Sequence, residues 1–186
     1  MDVKIKWALQ KLTQGNEMYI KSLTNPADIS SGKRKETSKY GQKPYAVILT
    51  CSDSRVSPEH IFSTGIGDLF IVRTAGNVAG AFELGSIEYA IKHLHASIVV
   101  VMGHTQCGAV IAAIEGHAEG CIEDIIHEIQ LGLEGALNES QAIYMNIQHS
   151  KQRVLKSEIV QNLINNGKLL VIGAEYNIET GFVKFL

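Results

Sequence analysis

The chain lacks an excess of either charge, a paired set of cysteines and any long apolar run, and each lack narrows what it can do. Its 17 basic and 19 acidic residues leave a formal charge of −2 over 186 residues. No strong field therefore favours nucleic acid or an anionic membrane, and the expected partners are small molecules or protein. The longest apolar stretches, such as IVVVM at 98–102, fall far below the roughly 20 residues of a membrane span. The opening MDVKIKWALQ is broken by an acid and two lysines before any apolar segment forms, unlike a secretory signal, so the expected compartment is cytoplasmic. Three cysteines, an odd number without an export signal, argue against a disulfide framework and leave metal binding or free thiols. No repeat, low-complexity block or internal linker is present. The length suits a single domain, 1–186, with an N-terminal helical arm at 1–24 and an α/β core at 45–186.

What is present is an alternation of strands and helices. Residues 3–23 carry Ile5, Ala8, Leu9, Leu12 and Tyr19 at helical spacing, which predicts a helix with one apolar stripe. Residues 25–44 are polar and breaker-rich, a long loop. Because that loop separates the arm from the core, the arm is expected to pack on a second subunit. YAVILT, LFIVRT and SIVVVMGH read as buried strands. SPEHIF opens a helix with Ser57 as cap and Pro58 at its first position, and GAFELGSIEYAIKHLHA and GAVIAAIEG read as two more. A stripe of Ile122, Ile125, Ile126, Ile129 and Leu133 predicts another helix. Asn138 with Gln141 suggests a capping box opening a longer one that runs to about Asn165. KLLVIGAEYNIETGFVKFL closes as a hairpin. The fold class is α/β, a mainly parallel sheet of about four parallel strands plus a C-terminal antiparallel strand, flanked by helices.

In such sheets ligands bind beyond the carboxyl ends of the strands, and unusual chemistry stands there. LTCSDSRVSPEH at 49–60 follows one strand with Cys51, Asp53 and Arg55 at alternate positions, which in an extended chain share one side. GHTQCG follows another strand and brings His104 and Cys107 to the same rim. Two thiolates and an imidazole suit one zinc ion per chain, and three protein ligands leave a position for water, as in catalytic rather than structural sites. HxxC alone arises by chance, and a lone cysteine after a strand is commonly an inert core thiol. A surface ion pair between Asp53 and Arg55 would be worth little and leaves the neighbouring thiol unexplained. Cys121 reads as a small packing residue. His60, His93, His95, His117, His127 and His149 lie on helices or their ends without a motif, and Gly76, Gly80 and Gly85 lack the spacing of a phosphate loop.

CSDSR, RTAGN and HTQCG resemble the metal-site motifs of β-class carbonic anhydrases, and the similarity runs from GNEMY in the first helix to GAEYNIETGFV in the last hairpin. The resemblance implies that Cys51, His104 and Cys107 bind zinc and that Asp53 and Arg55 form a catalytic dyad. Asp53 would be a fourth zinc ligand only in a closed state. It also implies a plant-like, open site, since Gln42, Phe70, Tyr89 and Gly108 match the substrate-binding positions of that kind. The other kind places a tryptophan where Ile48 stands, although its arginine is present as Arg73. Thr74 departs from the commoner asparagine. The implied activity is carbonate dehydratase: reversible hydration of CO2 to bicarbonate and a proton by zinc-hydroxide attack. Homodimers, or dimers of dimers, are implied as well. Two other readings fit the same motifs, a carbonyl sulfide or carbon disulfide hydrolase and a non-catalytic zinc or bicarbonate-binding protein.

Overall fold

Five strands, β1 (Ala46–Cys51), β2 (Leu69–Thr74), β3 (Ile98–His104), β4 (Leu170–Tyr176) and β5 (Val183–Phe185), form one sheet in the order β2-β1-β3-β4-β5. The computed structural model describes residues 2–21 and 24–186. The first four strands run parallel and β5 pairs antiparallel with β4, as the sequence pattern predicts. β1 and β3 are buried at every position, which explains their unbroken apolar runs: a strand covered on both faces gains nothing from polar alternation.

Among the described residues there are eight α-helices: α1 (Val3–Lys21), α2 (Ser31–Tyr40), α3 (Pro58–Ile61), α4 (Ala81–His93), α5 (Gly108–Glu115), α6 (Ile122–Gln130), α7 (Glu139–Leu155) and α8 (Glu158–Asn165). On one face Val47, Leu49, Val99 and Val101 pack with Ile87, Val110, Ile129 and Ile147 of α4 to α7. On the other, Ile48, Val100 and Met102 pack with Ala8 and Leu12 of α1 and with Ile61 and Phe62. Fully burying one such side chain contributes about 1.5–3 kcal/mol. β2 and β3 lie on opposite sides of β1, so the strand order reverses between β1 and β3, and the helices that follow these two strands lie on opposite faces. In sheets of this kind that reversal, at the carboxyl ends of the strands, is where ligands bind.

Three expectations are corrected. The stripe of α1 does not await a second subunit, because Ile5, Ala8 and Leu12 are buried against the chain's own core. The Asn16 amide fixes the helix there, donating to the Ile61 and Gly181 carbonyls at 3.2 and 2.8 Å and accepting from the Val183 N–H at 2.9 Å. Gly15 leaves room for the Phe62 carbonyl. The last two positions of the expected helix, Ser22 and Leu23, lie outside the described residues. The expected loop at 25–44 contains α2, capped by Ser30 accepting from the Lys33 N–H. No α2 residue is buried, so no apolar stripe announced it. The long helix expected from Asn138 to Asn165 is two helices. The Asn138 side chain caps α7 as expected, while Ser157 caps α8 by accepting from the Val160 N–H and donates to Glu88 at 2.6 Å.

Candidate metal centre

β1 and β3 are parallel neighbours, so their last residues, Cys51 and His104, arrive at the same carboxyl edge of the sheet. Cys107 follows as the residue before α5. The sulfurs of Cys51 and Cys107 and a ring nitrogen of His104 lie within 4.8 Å of one another, and all three residues are buried. Cys51 Sγ and Cys107 Sγ are 4.0 Å apart. His104 Nδ1 donates to the Thr105 carbonyl at 2.9 Å, which leaves the Nε2 lone pair free. Nε2 is buried and has no hydrogen-bond partner. A buried polar atom without a partner is costly, and this one stands beside two sulfurs. The donors fit zinc: soft thiolates with an imidazole whose tautomer is set by its outer hydrogen bond.

The thiols share charge unequally. A hydrogen bond from Cys107, aided by His104 and by backbone N–H groups of Asp53 and Gly76 and opposed by burial, brings the Cys51 thiol down to about 4. The same bond, with burial, pushes Cys107 up, although the Val110 and Ala109 N–H groups at the start of α5 oppose the rise. Each candidate ligand thus has its own outer support: the Gly76 N–H donates to Cys51 Sγ at 3.3 Å, the first turn of α5 faces Cys107, and Thr105 orients His104.

Asp53 and Arg55 meet, though not along an extended strand. The chain turns after Ser52, with the Val56 N–H bonded to the Asp53 carbonyl at 3.0 Å and the Arg55 N–H to Asp53 Oδ1 at 2.9 Å. This Asx turn curls Arg55 back onto the carboxylate. Its Nε donates to Oδ1 at 3.0 Å and its Nη2 to Oδ2 at 2.7 Å, a bidentate pair. Asp53 Oδ2 stands 4.0 Å from His104 Nε2, yet Asp53 is not among the mutually close donors. Chiefly through the hydrogen bonds of Arg55, its carboxyl is held at about 2.

Residues around the rim brace this turn, and of them only Glu139 carries no motif in the sequence. Arg73 on β2 donates to the Cys51 carbonyl at 3.1 Å and the Asp53 carbonyl at 2.8 Å, so it braces the turn. Thr74 bonds the Val78 carbonyl at 2.7 Å and closes the following segment. Gln106 has a left-handed φ of 57°. Its N–H is held by Glu139 at 3.1 Å, and its carbonyl accepts from Arg55 at 3.2 Å. Glu139 lies 33 residues downstream, and only its place beside the Asn138 cap marks it in sequence.

The expected substrate residues are only partly gathered. Gly108 begins α5 directly after Cys107. Phe70 pairs with Val47, four residues below Cys51, a rise of about 13 Å. It lies near Tyr89 across 6.3 Å between ring centroids, and Tyr89 and Gln42 are exposed. Ile48 is wholly buried. Cys121, expected to be a packing residue, is instead exposed. Among the described residues no helix is long and apolar enough to cross a membrane.

A family model described as carbonic anhydrase matches residues 46–183. Carbonic anhydrase 2 of Mycobacterium tuberculosis is 35% identical over 185 residues, covering 94% of this chain and 89% of that protein. The carbonic anhydrase of Mycolicibacterium smegmatis is 34% identical over 190 residues, covering 95% and 91%. The solved structure of a Coccomyxa β-carbonic anhydrase in complex with acetazolamide superposes with a TM-score of 0.74 at 26% identity, covering 97% of this chain and 82% of that one.

Proposed function

Because the chain belongs to the β class of the carbonic anhydrase family, we propose that Cys51, His104 and Cys107 hold its zinc and that Asp53, steered by Arg55, orients the reacting water. The enzyme is a zinc-dependent carbonate dehydratase that hydrates CO2 reversibly to bicarbonate and a proton. The relatives do not favour the sulfide-hydrolase or non-catalytic readings. The observation that carries the ligand assignment is the buried, unpartnered Nε2 of His104 beside two sulfurs.

Zinc, when bound, supplies a water acidic enough to act as nucleophile near neutral pH. The residues around it do the positioning. Thr105 keeps the His104 proton on Nδ1. The Asp53 carboxylate faces the space beside Nε2 and accepts a hydrogen bond from a water there, turning its lone pair toward the incoming carbon. Arg55 occupies both carboxylate oxygens and so keeps Asp53 away from the metal donors, which supports an open site. The N–H of Gly108 is one of the first-turn donors of α5 without an intrahelical partner, suited to a bicarbonate oxygen.

Phe70, Tyr89 and Gln42 complete the substrate slot of a second copy rather than of their own. β2 is an edge strand with unpaired backbone groups, and Phe82 (88% exposed) and Tyr89 (51%) stand open on α4. A homodimer through this edge, able to pair again, accounts for both features. Three unpaired thiols agree with a cytoplasmic setting. Stopped-flow CO2 hydration with zinc quantified on the same sample tests the assignment. Full activity in a Cys107→Ser variant that binds no zinc would overturn it.

A further inference from the structure

The Cys51 sulfur receives a backbone hydrogen bond from Gly76, and the conformation of Gly76 is held from outside the strands. Residues 75–77 form a tight turn in which Gly76 is left-handed, φ 65° and ψ 21°. Asn77 after it is also left-handed at φ 49°. A Cβ on Gly76 would come within 2.6 Å of Ile129 Cδ1 and 3.2 Å of Ala109 Cβ, so α6 and the start of α5 press on it directly. Its carbonyl accepts from Asn146 Nδ2 at 2.8 Å. Asn146 lies on α7 and is 1% exposed.

Burying an amide is costly unless both ends are satisfied. Asn146 satisfies only one: its Oδ1 is buried with no partner. An apolar side chain would pack there at less cost to the helix, so the single bond to Gly76 calls for a reason beyond packing. The carbonyl that Asn146 holds and the N–H that Cys51 receives belong to two peptides joined at one Cα. With Ile129 and Ala109 packed against that Cα, holding the carbonyl as well limits how far the N–H can swing, which a glycine's own backbone would not.

We propose that Asn146 is a positioning residue for the zinc site: by holding the Gly76 carbonyl it aims the Gly76 N–H at Cys51 Sγ and so tunes the thiolate that zinc binds. A thiolate that accepts a hydrogen bond gives less charge to the metal, which leaves the metal more acidic. This rests on the ligand assignment above and adds a residue nearly a hundred positions from Cys51. Outer-shell partners of this kind are worth about 10–100-fold in metal affinity or activity.

The test loads the full-length protein with an NMR-active cadmium isotope in place of zinc. In the wild type the Gly76 amide proton is expected to show scalar coupling to the metal through the N–H···S bond. In Asn146→Ala that coupling shrinks or vanishes, zinc affinity by chelator competition falls about tenfold, and the cobalt-loaded enzyme's thiolate charge-transfer band moves to longer wavelength. Val154→Ala, a buried truncation two turns along α7, controls for stability: it lowers the thermal midpoint but leaves coupling, affinity and band unchanged. Should Asn146→Ala not fold, Asn146→Ser carries the same comparison. Wild-type cadmium bound with no coupling to Gly76 overturns the proposal, as does an Asn146 variant with unchanged coupling and affinity. Cadmium that does not bind Cys51, His104 and Cys107 at all overturns the ligand assignment instead.

Discussion

At the scale of single residues, Asp53 is held in its charged form by its neighbour. Arg55 lowers its carboxyl to about 2, below the ordinary value of about 3.9. A lowered folded-state value contributes stability above the unfolded value, and that contribution is lost progressively as pH falls from about 3.9 through about 2. Asp53 is therefore a carboxylate throughout the working range, and any loss of activity on mild acidification arises elsewhere. A carbon NMR titration is expected to show no Asp53 inflection above about pH 4 in the wild type, and an inflection moved upward in zinc-free Arg55→Ala. That variant should lose about 10–100-fold in kcat/KM with zinc retained, because the carboxylate is no longer held away from the donors. Wild-type kcat/KM in Asp53→Ala across the pH range would remove the role given to this residue. Metal analysis sets the ligands apart from the third thiol: Cys51→Ser, His104→Ala and Cys107→Ser should each lose most of the zinc, while Cys121→Ser, exposed before α6, keeps it.

At the scale of elements, packing between α7 and the sheet leaves little room. A Cβ on Gly103 would meet Ile147 Cγ1 at 2.6 Å and Cδ1 at 2.8 Å. Gly103→Ala is expected to cost about 1–3 kcal/mol in urea unfolding. Ile147→Ala alone should cost about 2–5 kcal/mol, and less in the Gly103→Ala background, since the smaller side chain yields the space. Additive losses in that double-mutant cycle would show that the two positions do not meet. The strands were legible because β1 and β3 are buried on both faces and carry unbroken apolar runs. α2 was not, since SGKRKETSKY has no buried side and only Ser30 signals its start. The break between α7 and α8 was hidden because apolar spacing continues across Ser157, a residue that becomes a cap only through its partners. In the site, CxDxR and HxxC marked the three donors that the fold brings together, whereas the turn that joins Asp53 to Arg55 and the support from Glu139 and Asn146 depend on distant packing.

At the scale of the whole molecule, one copy gathers the metal donors but leaves Phe70 and Tyr89 on an open edge. Light scattering at micromolar concentration should find a dimer or larger assembly. Phe82→Arg should shift it toward monomer and reduce CO2 hydration with zinc content unchanged. A fully active monomer would show that each chain completes its own slot.

The donors also sit far apart along the chain: Cys51 and His104 are separated by 53 positions, from 51 to 104. Held as proposed by Cys51 and His104, a metal would act as a removable cross-link between β1 and β3. A denatured chain that kept its zinc would remain looped, gaining about 4 kcal/mol less from chain entropy than an open one. A chain that released it would give up the binding free energy. By either route the loaded protein is harder to unravel than the empty one, so the ion that serves the reaction also acts as a clasp on the polymer.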